Sequence, residues 1–138
     1  MPVQQTQRGF TLIELLVVVA IVALVTAGVS LSLRDRASSH LQEEAERLAA
    51  LLDAARAQSR AIGAAVRWRA VPEGFVFDGL AAPGWPTRWL YPNTSAPVDA
   101  ALTLGPQPLL EPQAVTLSLA TRSLTVRTDG LRPFAVQP

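Results

Sequence analysis

The sequence predicts an α+β fold in which one long N-terminal helix, with its first half transmembrane, packs against an antiparallel β-sheet or a small two-sheet β-sandwich. Two patterns support this fold. An uncharged apolar run leads directly into an amphipathic helical pattern, and the remaining chain alternates apolar and polar residues with the period of strands. At 138 residues, the chain has room for one small folded domain beyond the apolar run.

Composition excludes several kinds of site. The chain has no Cys, so it forms neither a disulfide nor a thiolate metal centre. Its 12 basic and 11 acidic residues leave a net charge of +1 with no block of one sign, which makes nucleic acid an unlikely partner. The single histidine, His40, has no second His or Cys beside which to build a site, and the carboxylates are scattered. We therefore expect no cofactor, no metal and no enzymatic activity.

The first 33 residues suggest a leader followed by a membrane span. Residues 1–9, MPVQQTQRG, are polar and end in Gly, as is typical of a cleaved leader. Residues 15–33 are nineteen uncharged residues, and as a helix they cover ~28 Å, close to the ~30 Å hydrocarbon thickness of a bilayer. We predict a transmembrane helix within residues 10–33. Because Arg8 precedes it, the positive-inside tendency places the N-terminus in the cytoplasm.

Residues 34–63 are predicted to continue as an amphipathic helix. Its apolar residues recur at steps of four and three in one stripe, Leu41, Ala45, Leu48, Leu52 and Ala55. Glu43 and Arg47 are spaced for a surface ion pair. A solvated face is expected to carry the other charges, Glu44, Glu46, Asp53, Arg56 and Arg60. Gly63 is placed to end the helix.

Residues 64–138 are predicted to form a β domain. Strand patterns occupy residues 64–71, 74–79, 114–120, 123–130 and 131–137. Turns are expected at 121–123 and at Asp129-Gly130, which is also a hairpin signal, while Pro133 limits its strand to an edge or to irregular backbone.

Residues 80–113 hold seven of the eleven prolines and are predicted to be a long loop region with a short strand at 101–104. The Trp85, Trp89 and Tyr91 side chains there are expected either to pack at the margin of the core or to form a protein-binding patch.

Glu14 separates three interpretations of the N-terminal segment. A plain anchor would place an ionised carboxylate near hydrocarbon without a partner, which is costly. A conventional signal peptide, cut after residues 25–27, meets the same difficulty. In the third interpretation the leader ends at Gly9 and the mature chain begins at Phe10. The new α-amino group then lies one helical turn from Glu14, and the two charges neutralise each other within one chain or between neighbours.

Residues 8–24, RGFTLIELLVVVAIVAL, resemble the N-terminus of type IV pilins and type II secretion pseudopilins, in which Gly and Phe precede Thr-Leu-x-Glu and an unbroken apolar helix. The resemblance implies a pilin-like fold, cleavage after Gly9 by prepilin peptidase, methylation of the Phe10 amine, and a role for Glu14 in subunit registration. It also implies a single-pass protein of the bacterial inner membrane with a periplasmic C-terminal domain, which later enters a pseudopilus.

Downstream, residues 52–69, 74–79 and 124–136 resemble the H-type (GspH-like) minor pseudopilins and the FimT-like minor pilins. Major pseudopilins usually carry a proline in the apolar helix and an Asp-rich calcium loop, and classical pilins usually carry a C-terminal disulfide. The sequence shows none of these features. The K-type subunit usually lacks the glutamate and is larger, whereas I-type and J-type subunits stay open.

The partners that this implies are other major and minor pseudopilins, prepilin peptidase, the inner-membrane assembly platform, and membrane lipid before assembly. Two alternatives remain. One is a minor type IV pilin that binds DNA or a surface, for which Arg67, Arg69 and Arg88 would have to converge. The other is a soluble periplasmic binding domain released by signal peptidase.

Overall fold

One long helix, α1, runs from Leu12 to Ile62 and is followed by six strands. The computed structural model describes residues 9–81 and 83–137, so Arg8 and all but the last residue of the predicted leader lie outside the described residues. Contacts divide the chain into two units, Met1–Asp35 and Arg36–Pro138. The helix ends as predicted at Gly63, which has a φ of 66°, and a hydrogen bond of 3.3 Å from the N–H of Ala64 to the carbonyl of Ser59 completes a Schellman cap.

In the N-terminal unit, α1 exposes apolar side chains on every side. Leu12 is 82% exposed and Leu24 is 73% exposed. The helix itself satisfies two hydroxyls, since Thr26 donates to the carbonyl of Val22 at 2.9 Å and Ser30 donates to the carbonyl of Thr26 at 3.0 Å. A polar group in hydrocarbon needs such an internal partner. By length and composition, this part of α1 qualifies as a membrane span.

The strands form two three-stranded antiparallel sheets, which confirms the α+β prediction and its two-sheet form. The first sheet has the order β2-β1-β3, with β1 at Arg67–Val71, β2 at Gly74–Asp78 and β3 at Ala101–Thr103. The second has the order β4-β5-β6, with β4 at Gln113–Leu119, β5 at Arg122–Thr128 and β6 at Ala135–Gln137. The strand that follows Pro133 is an edge strand, as predicted.

Two turn predictions need correction. The β4–β5 turn consists of Ala120 and Thr121, because Leu119 pairs with Arg122 and thus draws the predicted turn residues 122 and 123 into β5. Ala120 adopts the required left-handed conformation, with a φ of 53°.

The second correction concerns Asp129 and Gly130, which open a six-residue connection, 129–134, rather than a two-residue hairpin. The Asp129 carboxylate accepts the N–H groups of Leu131 and Arg132 at 2.9 and 2.8 Å. These hydrogen bonds lower the pKa of Asp129. They also occupy the N–H groups of Leu131 and Arg132, and Pro133 has no N–H, so residues 131–133 cannot donate the hydrogen bonds that an immediate return strand would need.

The core of the C-terminal unit is one apolar cluster drawn from α1 and both sheets. All five residues of the predicted stripe from Leu41 to Ala55 are buried, which confirms the stripe. The sheets contribute alternate residues of their strands, among them Trp68, Phe75 and Leu102 from the first and Val115, Leu117 and Val126 from the second.

The predicted solvated face of α1 is wrong for two residues, since Glu44 is fully buried and Arg56 is only 5% exposed. The buried residues of the helix extend beyond the stripe to Glu44 on one side and Ala49 on the other. At 3.6 residues per turn they span an arc of ~140°. The buried face of the helix is therefore wider than the predicted stripe, because loops also pack against its margins.

Glu44 anchors the proline-rich region to α1. Its carboxylate accepts the N–H of Leu90 at 2.6 Å and the N–H of Tyr91 at 3.2 Å. It also pairs with Arg47 at 2.9 Å, and Arg47 donates to the carbonyl of Arg88 at 3.2 Å. One helix turn thus fixes the backbone of residues 88–91.

The predicted pair of Glu43 with Arg47 is replaced by this arrangement. The carboxylate of Glu43 instead accepts the hydroxyl of Tyr91, which raises the pKa of that phenol. Tyr91 also stacks on His40, with ring centroids 4.0 Å apart and planes within 7°.

The tryptophans of the same region pack at the margin of the core. Trp89 lies 4.8 Å from Phe75, and Trp85 lies 5.2 Å from Phe77, both measured between ring centroids. Of the two predicted alternatives for these aromatic residues, the structure supports the packed one.

Arg56 anchors the connection 129–134 in a similar way. Its guanidinium donates to the carbonyls of Gly130 and Arg132, and burial, reinforced by Arg60, lowers its pKa. Asp53 accepts the N–H of Phe134 at 3.2 Å. Burial nevertheless raises the pKa of Asp53, outweighing this bond and the attraction of Arg56.

Three outer strand edges have partners. An N–H of β2 donates to the carbonyl of Thr87 at 2.9 Å, and Ser95 exchanges two backbone hydrogen bonds with Ser118 of β4 at 2.9 and 2.8 Å. At β3 the partner is a side chain, because the amide of Gln113 accepts the N–H of Thr103 at 2.7 Å and donates to its carbonyl at 2.8 Å.

Candidate functional site

The three residues singled out by the sequence lie at the start of α1. Gly9 and Phe10 precede the helix, and Glu14 is in its first turn. The Phe10 side chain is 78% exposed. A methyl group added at Gly9 would meet no atom within 4 Å, and Gly9 does not have a left-handed φ. The described residues thus give no packing or conformational reason for glycine at position 9.

Thr11 sets the start of the helix. Its hydroxyl accepts the N–H of Glu14 at 3.3 Å, and its carbonyl accepts the N–H groups of Glu14 and Leu15 at 3.1 and 3.2 Å. Thr11 is therefore the N-cap residue, and Thr11 and Glu14 have the spacing of a capping box. This role of Thr11 is absent from the expectations above, although Thr-x-x-Glu before an apolar run is its signature.

Glu14 is the only charged residue between positions 9 and 33. A carboxylate in the first turn is stabilised by the positive end of the helix dipole, and the Thr11 cap fixes the backbone of Glu14 close to Phe10. Pairing of Glu14 with a Phe10 amine stays a prediction, because Phe10 carries that amine only after the bond to Gly9 is cut.

The three arginines considered for DNA do not all converge, because Arg67 and Arg69 share the exposed face of β1 but Arg88 lies at one end of the hairpin. Arg69 pairs with Asp78 at 2.7 Å, with both side chains about half exposed, and this hydrogen bond raises the pKa of Arg69. The backbone of Arg88 forms an isolated antiparallel β-bridge with Gly74, at the end of the hairpin where β1 and β2 join. Arg67 begins β1 at the other end, four residues or ~13 Å along the strand. The hairpin therefore spreads these charges along its length.

Within residues 9–81 and 83–137, no three His, Asp or Glu side chains are grouped so as to hold a metal ion. His40 lies against Tyr91, and the carboxylate of Asp129 is used by its own loop.

Comparison with known proteins gives one finding, at the start of α1. Residues 4–30 match the family model of the prokaryotic N-terminal methylation motif. The match includes Gly9, Phe10 and Glu14, and it supports a type IV pilin-like or pseudopilin protein. The motif and the long apolar helix fit a protein anchored in the inner membrane. Neither the comparison with curated proteins nor that with solved structures gave a match.

Proposed function

We propose that this chain is an H-type minor pseudopilin, a structural subunit of the type II secretion pseudopilus that helps to export folded proteins across the outer membrane. The observation that carries the proposal is the methylation motif at residues 4–30, which leads into an exposed apolar helix. In this proposal, prepilin peptidase removes residues 1–9 and methylates Phe10. The N-terminus faces the cytoplasm, and residues 64–138 lie in the periplasm.

The exposed part of α1 supports a subunit that changes its surroundings. Residues 12–33 leave many Leu, Ile and Val side chains uncovered, and burying each is worth about 1.5–3 kcal/mol relative to water. Lipid covers them before assembly, and helices of neighbouring major and minor pseudopilins cover them in the fibre. Because lipid is as apolar as the fibre core, moving the helix from one to the other gains little hydrophobic free energy. In this proposal the transfer therefore depends on the inner-membrane assembly platform.

Glu14 supplies the register in this proposal. A carboxylate near hydrocarbon needs a partner, and the Phe10 amine created by cleavage provides one, in the same chain or in a neighbour. Pairing between chains is satisfied at one axial offset and thereby fixes how far neighbouring helices are staggered.

A minor type IV pilin of the FimT-like kind is the second candidate, because it would carry the same motif. Its proposed DNA-binding activity has less support, since Arg67, Arg69 and Arg88 are spread along the hairpin. Deletion of the gene separates the two candidates. Loss of secretion with intact pili supports the pseudopilin, whereas loss of pili with normal secretion supports the pilin. A gel shift that weakens with added salt would restore DNA binding.

Intact mass spectrometry of the mature protein tests the processing. From a host with active prepilin peptidase we expect a chain that begins at Phe10 and carries one added methyl group. A chain that begins at Gly28 would indicate signal peptidase, and an unmethylated chain that retains residues 1–9 would also contradict the proposal.

Substitution Glu14→Ala tests registration. We expect a folded C-terminal unit, because Glu14 lies outside it, together with a loss of fibre incorporation and secretion. Protease resistance of residues 36–138 measures the folding, and crosslinking to the major pseudopilin measures the incorporation. Glu46→Ala is the matched control, since Glu46 is an exposed acid on the same helix. Normal secretion by Glu14→Ala would remove the registration role.

A further inference from the structure

We propose that Thr11 is a positioning residue for processing, because its N-cap starts α1 at Leu12 and keeps the Gly9–Phe10 peptide bond outside the helix. The inference rests on the proposed function, since it presupposes cleavage at that bond. It concerns a residue to which neither registration nor methylation assigns a role.

The geometry at the helix start supports this role. The first carbonyl that the helical ladder uses is that of Thr11, which accepts the N–H of Leu15 at 3.2 Å, while its hydroxyl accepts the N–H of Glu14 at 3.3 Å. Gly9 and Phe10 are exposed and non-helical. A peptidase must bind the backbone around the bond it cuts and polarise its carbonyl, so this carbonyl has to be free of the helical ladder.

Without the cap, the helix has an alternative start at that bond. Alanine has the highest helix propensity and caps poorly, so Ala at position 11 favours extension of α1 by two residues. Gly9 is then the nearest acceptable N-cap residue. An N-cap residue uses its own carbonyl for the first helical hydrogen bond, and here that carbonyl belongs to the bond to be cut. The Thr11 cap therefore keeps the Gly9 carbonyl out of the helical hydrogen bonds and available to the peptidase.

Cleavage of position-11 variants tests the inference. The assay uses the full chain in membrane vesicles with purified prepilin peptidase, and intact mass quantifies the product that begins at Phe10. We expect Thr11→Ala to lower kcat/KM about fivefold, which corresponds to the ~1 kcal/mol typical of a lost cap. Thr11→Ser and Thr11→Asn keep a capping oxygen and should remain within about twofold of the wild type.

A helix-destabilising control separates the position of the helix start from the strength of the helix. Ala20→Gly weakens the interior of α1 by about 0.5–1 kcal/mol and leaves the cap intact, so its cleavage should match the wild type. Backbone chemical shifts of residues 10 and 11 should turn helical in Thr11→Ala alone.

The outcomes distinguish this inference from the proposed function. A wild-type chain that is not cut at Gly9–Phe10 refutes the processing itself. If the wild type is cut, equal cleavage of Thr11→Ala overturns the role of Thr11. Slow cleavage of Thr11→Asn would show that the peptidase recognises the threonine side chain, and slow cleavage of Ala20→Gly would show a general need for helix stability. Either result also overturns the inference.

Discussion

Removal of the Glu44 carboxylate should release the proline-rich region from α1 and destabilise the whole C-terminal unit. Glu44 is fully buried, and its carboxylate binds the N–H groups of Leu90 and Tyr91 and the guanidinium of Arg47. Glu44→Ala leaves all three donors without this acceptor. The two backbone amides lose the most, because Arg47 is 24% exposed and retains access to water.

The expected magnitude follows from these three contacts. A buried N–H left without an acceptor costs about 1–3 kcal/mol, and breaking a buried charged pair costs about 3–5 kcal/mol. We therefore expect Glu44→Ala to lower the free energy of unfolding by about 3–5 kcal/mol, a large part of the 5–15 kcal/mol typical of a domain. Glu44→Gln keeps an oxygen for the two amides and loses the attraction to Arg47, so its expected cost is about 1–2 kcal/mol.

Denaturant unfolding of the full chain in detergent micelles, followed by tryptophan fluorescence, measures this cost. Hydrogen exchange at the amides of Leu90 and Tyr91 reports the local release. Glu46→Ala is the control, because Glu46 is an exposed acid two residues away and should change stability by less than about 0.5 kcal/mol. A Glu44→Ala protein as stable as this control, with unchanged exchange at both amides, would refute the reasoning.

Two further predictions concern the connection 129–134 and its anchor. Burial raises the pKa of Asp53 above its ordinary 3.8, so ionised Asp53 opposes folding, and Asp53→Asn should raise Tm at neutral pH. This advantage should vanish as the pH falls below 3.8, and a pH-independent difference in Tm would contradict it. Gly130 has a φ of 89°, and an added Cβ would collide with the carbonyl of Leu110. Gly130→Ala should therefore cost about 1–3 kcal/mol in thermal unfolding, whereas Gly28→Ala, which meets no atom within 4 Å, should not.

The sequence predicts the elements of this fold well where one local pattern determines them. The stripe from Leu41 to Ala55 is buried because helical spacing places it on one face, and Gly63 ends α1 because it supplies a left-handed residue. For Glu44 and Arg56 the local pattern predicts exposure, because a charged residue beside an apolar stripe is usually exposed. Their partners are backbone groups 46 and 74 or more residues away along the chain, and no local pattern indicates such contacts.

The candidate site was predictable to a similar degree. Gly9, Phe10 and Glu14 follow from a short motif that the family comparison also detects. The role of Thr11 is harder to predict, because the charge of Glu14 is the conspicuous feature of this segment, whereas the cap depends on the hydroxyl three residues before it. The position of Arg88 relative to Arg67 and Arg69 does not follow from the sequence, since it depends on the register of β1 with β2 and on the backbone bridge between Arg88 and Gly74.

The covered edges of β2, β3 and β4 affect how such chains behave when they are concentrated. A sheet with open edges can recruit a strand from any copy that it meets, and growth of that kind leads to cross-β aggregates. Here backbone groups along those edges already form hydrogen bonds, with Thr87 at β2, Gln113 at β3 and Ser95 at β4. Crowded copies of the β domain therefore have few vacant strand positions to offer one another along these three edges, which opposes strand exchange at each of them.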